Sequence, residues 1–111
     1  MRLEVKGKNI EVTPALRSYA ETKLAKLQKQ LAEPTQVEVE LSEEKNPSIH
    51  EGAVAEGTIF TKGPTLRARE VSTDIRASID LLVENLDRQV KRYREKRKEE
   101  PRRRTEHHNS G

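Results

Sequence analysis

The chain has 111 residues, of which 37% are charged, 32% hydrophobic and 3% aromatic. That length suits one small domain with a lean aliphatic core and excludes two. No Cys is present, which removes disulfides and thiolate metal sites, and no stretch nears the ~20 apolar residues of a membrane span. Residues 2–8, RLEVKGK, put Leu3 and Val5 on one face and Arg2, Glu4 and Lys6 on the other, the period of a half-buried strand. The same N-terminus lacks the apolar run of a signal peptide, and with the missing Cys this fits a cytoplasmic protein.

A helix follows. Thr13 is a suitable N-cap and Pro14 fits the first helical position, where its missing N–H costs nothing. Leu16, Ala20, Leu24, Leu27 and Leu31 recur at helical spacing, and Pro34 marks the expected end after about five turns. Residues 36–44, QVEVELSEE, alternate as a second strand with Val37, Val39 and Leu41 inward. KNPSIHEG reads as a loop. AVAEGTIFT places Ala55, Gly57 and Ile59 on one face of a third strand, and TLRAREV places Leu66 and Ala68 on one face of a fourth. The short KGP turn between them implies antiparallel pairing. In the last element, Ser72 or Thr73 is the expected cap, and Asp74 suits the positive end of the helix dipole. Ile75, Ile79, Leu82, Val83, Leu86, Val90 and Tyr93 then form one apolar face, so the helix is expected over about residues 74–97.

The order βαβββα, with one apolar face per strand, predicts an α+β two-layer sandwich: a four-stranded sheet with two helices on one face. Residues 1–98 form the expected domain. Residues 99–111, EEPRRRTEHHNSG, read as a disordered tail or the start of a linker, since they have Pro101 and no apolar period.

Catalytic chemistry has little to stand on. His50 beside Glu51 lies in a loop, and His107 and His108 lie in the tail without a third fixed ligand. KGP lacks the spacing of a phosphate-binding loop. The reading is no enzyme, no cofactor, no metal and no small-molecule substrate.

Charge is more informative. Residues 1–85 hold 12 basic and 14 acidic residues, whereas LDRQVKRYREKRK, 86–98, holds seven basic and two acidic ones. Each helical residue advances about 100°, so Arg88, Arg92 and Lys96 make one stripe, flanked by Asn85 and Gln89. Arg76 and Arg94 share the other flank, and Lys91 sits among Asp80, Glu84, Asp87 and Glu95 on the far side. An ordinary reading exists: cations suit a helix C-terminus, and Glu84 precedes Arg88 by four residues. The first helix adds Lys23, Lys26 and Lys29 beside its apolar stripe, with Tyr19 in that sector. Two helices side by side would then merge their basic flanks into a ridge for a phosphate backbone. The open sheet face mixes Lys6, Arg67 and Arg69 with Glu4, Glu38, Glu40 and Glu56, as cross-strand pairing would have it. Phe60 is the single candidate there for base stacking, and edge packing is its simpler role. The expected partner is structured RNA met through backbone and shape. The alternatives are a small protein-interaction domain whose basic helix binds an acidic partner, and a general structured-RNA binder.

The segments VTPALRSYAETKLAKL, TIFTKGPTLRARE and STDIRASIDLLVENLDRQVKRYREK resemble the ribosome hibernation-promoting factor / ribosome-associated inhibitor (protein Y) family. The last is the most specific: Asp74, the run Ala77-Ser78-Ile79-Asp80, Leu86, Arg88-Gln89 and Arg92-Tyr93 fall in the family's order. The resemblance covers about residues 1–98. It implies a βαβββα fold similar to a double-stranded-RNA-binding domain. It implies binding to 16S rRNA in the small ribosomal subunit, in the channel used by mRNA and tRNA, and a block of translation in idle ribosomes. Carried over by position, the RNA-binding candidates are Lys23, Lys26, Arg76, Arg88, Lys91, Arg92, Arg94 and Lys96. Long members of the family add a linker and a second domain that pairs ribosomes. This sequence stops at Gly111, where such a linker would begin, which leaves open a short form or the first domain of a long one.

Overall fold

The computed structural model describes the backbone of residues 2–31, 35–45 and 52–110, and the side chains among these up to Lys96. Its elements are β1 (Arg2–Gly7), α1 (Pro14–Gln28), β2 (Gln36–Glu43), β3 (Ala53–Phe60), β4 (Thr65–Ser72) and α2 (Ile75–Ser110). The βαβββα order and the α+β class are as the sequence predicts.

The strands lie in the order β1-β2-β3-β4. β1 and β2 are joined through α1 and run parallel, while β2–β3 and β3–β4 are antiparallel. Register aligns Val5, Val39, Gly57 and Ala68 in one row across the sheet. That row faces the helices. Its residues join Leu16, Ala20, Leu24 and Leu27 of α1 and Ile79, Leu82, Val83, Leu86 and Val90 of α2 in or around one core. Gly57 is needed for closeness: a Cβ there would come within 2.9 Å of Leu86 Cδ1. The neighbouring row, Lys6, Glu40, Glu56 and Arg69, faces away. Its two central glutamates are balanced from outside, by Lys6 on Glu40 at 3.8 Å and Arg69 on Glu56 at 3.6 Å. Cross-strand pairing therefore accounts for this row as expected, whereas the next row sets Glu4 beside Glu38 and Arg67 opposite Thr58. Phe60 remains 40% exposed, so edge packing covers only part of it.

Both outer edges of the sheet receive side chains. Arg2 N and Lys8 N donate to Thr35 O and Leu41 O, which turns the even residues of β1 toward β2 and the Val5 carbonyl outward. Arg17 Nη1 of α1 donates to that carbonyl at 2.7 Å. On β4, Gln89 Nε2 of α2 donates to Arg67 O at 2.8 Å.

Three expectations about helix ends need correction. α1 stops at Gln28, about four turns, and not at Pro34, which lies outside the described residues. Gln30 N and Leu31 N bond back to Leu27 O and Gln28 O, a tightened turn that uses up the last carbonyls. α2 is capped by Asp74, not by Ser72 or Thr73: its carboxylate accepts from Arg76 N at 3.1 Å and Ala77 N at 3.2 Å. The backbone of α2 is helical to Ser110, past the expected end near 97. Extending a formed helix is far easier than starting one, and the helix runs on although Pro101 removes one backbone donor.

Candidate nucleic-acid interface

α2 lies over β3 and β4 and beside α1, so its apolar face is consumed by the core. What remains divides into a flank toward α1, an outer face and a flank toward β4. The β4 flank is fixed by Asn85 and Gln89. Asn85 Nδ2 donates to Glu70 Oε2, and Gln89 Nε2 to Asn85 Oδ1 as well as to the β4 carbonyl, the two side-chain bonds at 2.8 Å each. Arg88, Arg92 and Lys96 rise beside this pair as one exposed stripe. No carboxylate among the described residues lies within ion-pair distance of any of the three. The ordinary Glu84–Arg88 pairing is thus not formed. Arg92 and Lys96 border a shallow cavity of about 170 Å³ whose other walls are Pro64, Leu66, Gln89 and Tyr93.

The α1 flank has a different character. Tyr19 of α1 donates its hydroxyl to Asp80 Oδ1 at 2.7 Å, and Lys23 Nζ lies 3.8 Å from the same oxygen. The Arg76 guanidinium carbon sits 4.8 Å from the Tyr19 ring centre and Lys23 Nζ sits 5.4 Å from it, so two cations share one aromatic ring. The hydrogen bond to Asp80, with partial burial and the Asp80 charge, pushes the Tyr19 hydroxyl above its ordinary 10.0. Lys23 and Lys26 line a groove with Thr22, Asp80, Val83 and Glu84. Further along, Gln30 donates to the Asp87 carboxylate, and Lys91 holds its other oxygen at 3.0 Å. Burial pushes the Asp87 carboxyl up. The bonds from Lys91 and Gln30, with the charges of Lys91 and Lys26, outweigh it and hold the carboxyl below 3.8.

The eight candidates thus fall into groups. Arg88, Arg92 and Lys96 stand together toward β4. Lys23, Lys26 and Arg76 gather at the α1 seam, Lys91 is tied to Asp87, and Arg94 is exposed. The single merged ridge is corrected: α1 packs against the acidic flank of α2, where opposite charges attract, and the stripe is left on the other side. Sequence reasoning missed Pro64 and Leu66 as neighbours of Arg92 and Lys96, because only strand register brings the hairpin under α2. His50 lies outside the described residues, as do the side chains of His107 and His108. Among the described residues no three His, Cys, Asp or Glu are grouped to hold a metal ion, and no helix is long and apolar enough to cross a membrane.

Residues 3–98 match the sequence profile of the Sigma 54 modulation protein / S30EA ribosomal protein family. The chain belongs to that family. Similar S30EA-family relatives include a ribosome hibernation promotion factor of Picosynechococcus sp., 39% identical over 97 residues, covering 86% of this chain and 50% of the relative. A ribosome hibernation promoting factor of Salmonella typhimurium is 35% identical, covering 89% of this chain and 99% of that one. This S30EA-family chain spans about half the length of the Picosynechococcus and Lactococcus lactis relatives, and nearly all of the Salmonella one. The N-terminal domain of Thermus thermophilus Protein Y superposes with a TM-score of 0.73 at 34% identity, covering 84% of this chain and 99% of that domain. A ribosomal subunit interface protein of Coxiella burnetii, 22% identical with a TM-score of 0.72, covers 85% of this chain and 98% of its own and shares the fold.

Proposed function

We propose that this protein is a cytoplasmic ribosome hibernation factor. Residues 1–98 bind the small ribosomal subunit in the mRNA and tRNA channel, chiefly through 16S rRNA phosphates, and so block translation in idle ribosomes. The observation that carries this is the stripe of Arg88, Arg92 and Lys96 inside the family-matched segment, exposed and with no carboxylate partner among the described residues. The names of the hibernation-factor relatives that align over the same residues support it. Cations without protein partners meet phosphates with no pair to break, and each contact releases condensed counterions. Lys23 is a second contact. Its pair with Asp80 is about half exposed at both ends, so exchanging it for a phosphate gives up only ~0–1 kcal/mol.

Co-sedimentation with purified bacterial small subunits, at low and moderate salt, tests the reading. Binding that excess mRNA and initiator tRNA suppress is the expected result. Failure to co-sediment at either salt overturns it. Salt-steep binding to plain duplex RNA as tight as to the subunit would make the chain a general RNA binder, and a shallow salt dependence on an acidic protein would make it a protein-interaction domain.

A further inference from the structure

The cavity between α2 and the β3–β4 hairpin has more chemistry than a charged stripe requires. Deepening the reading above, on which this step rests, we propose that it takes one unpaired nucleotide of RNA. The base lies against Tyr93, Leu66 and Pro64, and the phosphate is held by Arg92 and Lys96.

Size is the first argument. At about 170 Å³ the cavity falls below the ~300 Å³ at which drug-sized pockets begin, and suits a single ring system. Composition is the second. Leu66, Pro64 and the half-buried Tyr93 ring are walls for a flat apolar surface, and aromatic faces are what proteins use against unstacked bases. The hairpin reaches the edge of the ring: a Cβ on Gly63 would lie 3.6 Å from Tyr93 Cε1, an ordinary contact. Charge is the third. Arg92 and Lys96, with no carboxylate partner among the described residues, sit on the rim, where each can give a phosphate oxygen a charge-assisted bond. Hydrogen bonding is the fourth. The Gln89 amide nitrogen is engaged by Arg67 O and Asn85 Oδ1, which leaves its carbonyl oxygen as the acceptor for a ligand. A ring N–H or an exocyclic amine on the pairing edge of any unpaired base supplies that donor. An acidic peptide would satisfy the cations and leave the apolar walls unused.

Two experiments decide the matter. Amide NMR of the full chain is followed during titration with CMP, UMP, inorganic phosphate and hexaglutamate. CMP and UMP should both shift Leu66, Gln89 and Tyr93. Phosphate and hexaglutamate should move only residues near Arg92 and Lys96. Equal shifts of Leu66 and Tyr93 by hexaglutamate, or none by CMP, overturn the proposal. In the second experiment, Tyr93→Leu should bind small subunits about tenfold more weakly with an unchanged salt slope, while Tyr93→Phe binds like the parent. An undiminished Tyr93→Leu overturns the pocket while leaving the hibernation reading intact. Should the parent chain fail to bind subunits at all, the hibernation reading falls and the CMP titration still decides the pocket.

Discussion

Ser78 is fully buried on α2, and nothing about its hydrophobic neighbours in sequence requires a hydroxyl there. Its Oγ donates to Ala53 O at 2.6 Å, which pins the first turn of α2 to the start of β3. Ser78→Ala removes that bond and should cost about 1 kcal/mol, read from the urea midpoint. Gly57→Val fails for the opposite reason. The added methyls meet Leu82 and Leu86, and overpacking of about 1–3 kcal/mol is expected in the same titration. Asp87 gives a pH signature. Its carboxyl titrates below 3.8 in the fold, so the ionised form stabilises the native state at pH values above 3.8. That contribution is lost as pH falls through the lowered value. Asp87→Asn should therefore show a shallower loss of stability between about pH 5 and pH 2 than the parent chain. At this scale the sequence shows the apolar residues well, because burial repeats with the period of the element. It hides Ser78, Gln30 and the Asp80 clasp of Tyr19, whose partners lie 25, 57 and 61 residues away in the chain.

Elements were legible where a local signal sets them. The Thr13-Pro14 start of α1, the alternation of β2 and β3 and the KGP turn all act over a few residues, and all appear where expected. Helix ends were less legible because competing caps sit side by side: Ser72, Thr73 and Asp74 are each good N-caps, and three-dimensional placement chooses Asp74. Asp74→Ala should lose about 1 kcal/mol where Thr73→Ala loses little, a comparison that thermal melts can make. The parallel β1–β2 pair is not written in either strand, since it follows from α1 crossing between them. The far end of α2 is a separate case. The described core contributed by α2 ends at Val90, with Tyr93 half-buried beyond it. A chain ending at Lys98 should then unfold within about 0.5 kcal/mol of the full one.

Across the whole molecule, charge is sorted by whether it is answered. On the open sheet face Lys6 and Arg69 answer the central glutamates, and the α1 seam sets lysines against aspartates. Only the β4 side of α2 carries a run of basic residues with no such answer among the described side chains. Replacing Arg88, Arg92 and Lys96 together by Ala should weaken subunit binding and reduce the slope of log affinity against log salt by about 2–3. Circular dichroism should be unchanged, since all three are exposed. The stripe was legible from helical spacing alone; that α1 would not extend it was not, because packing choice depends on both helices at once. The two side chains that reach the sheet margins bear on self-assembly. Arg17 occupies an outward carbonyl of β1 and Gln89 one of β4, so neither margin offers an unbroken row of main-chain groups to a strand from another molecule. That interruption disfavours edge-to-edge strand addition, and the side chain that guards β4 is the same glutamine that borders the cavity beside Tyr93.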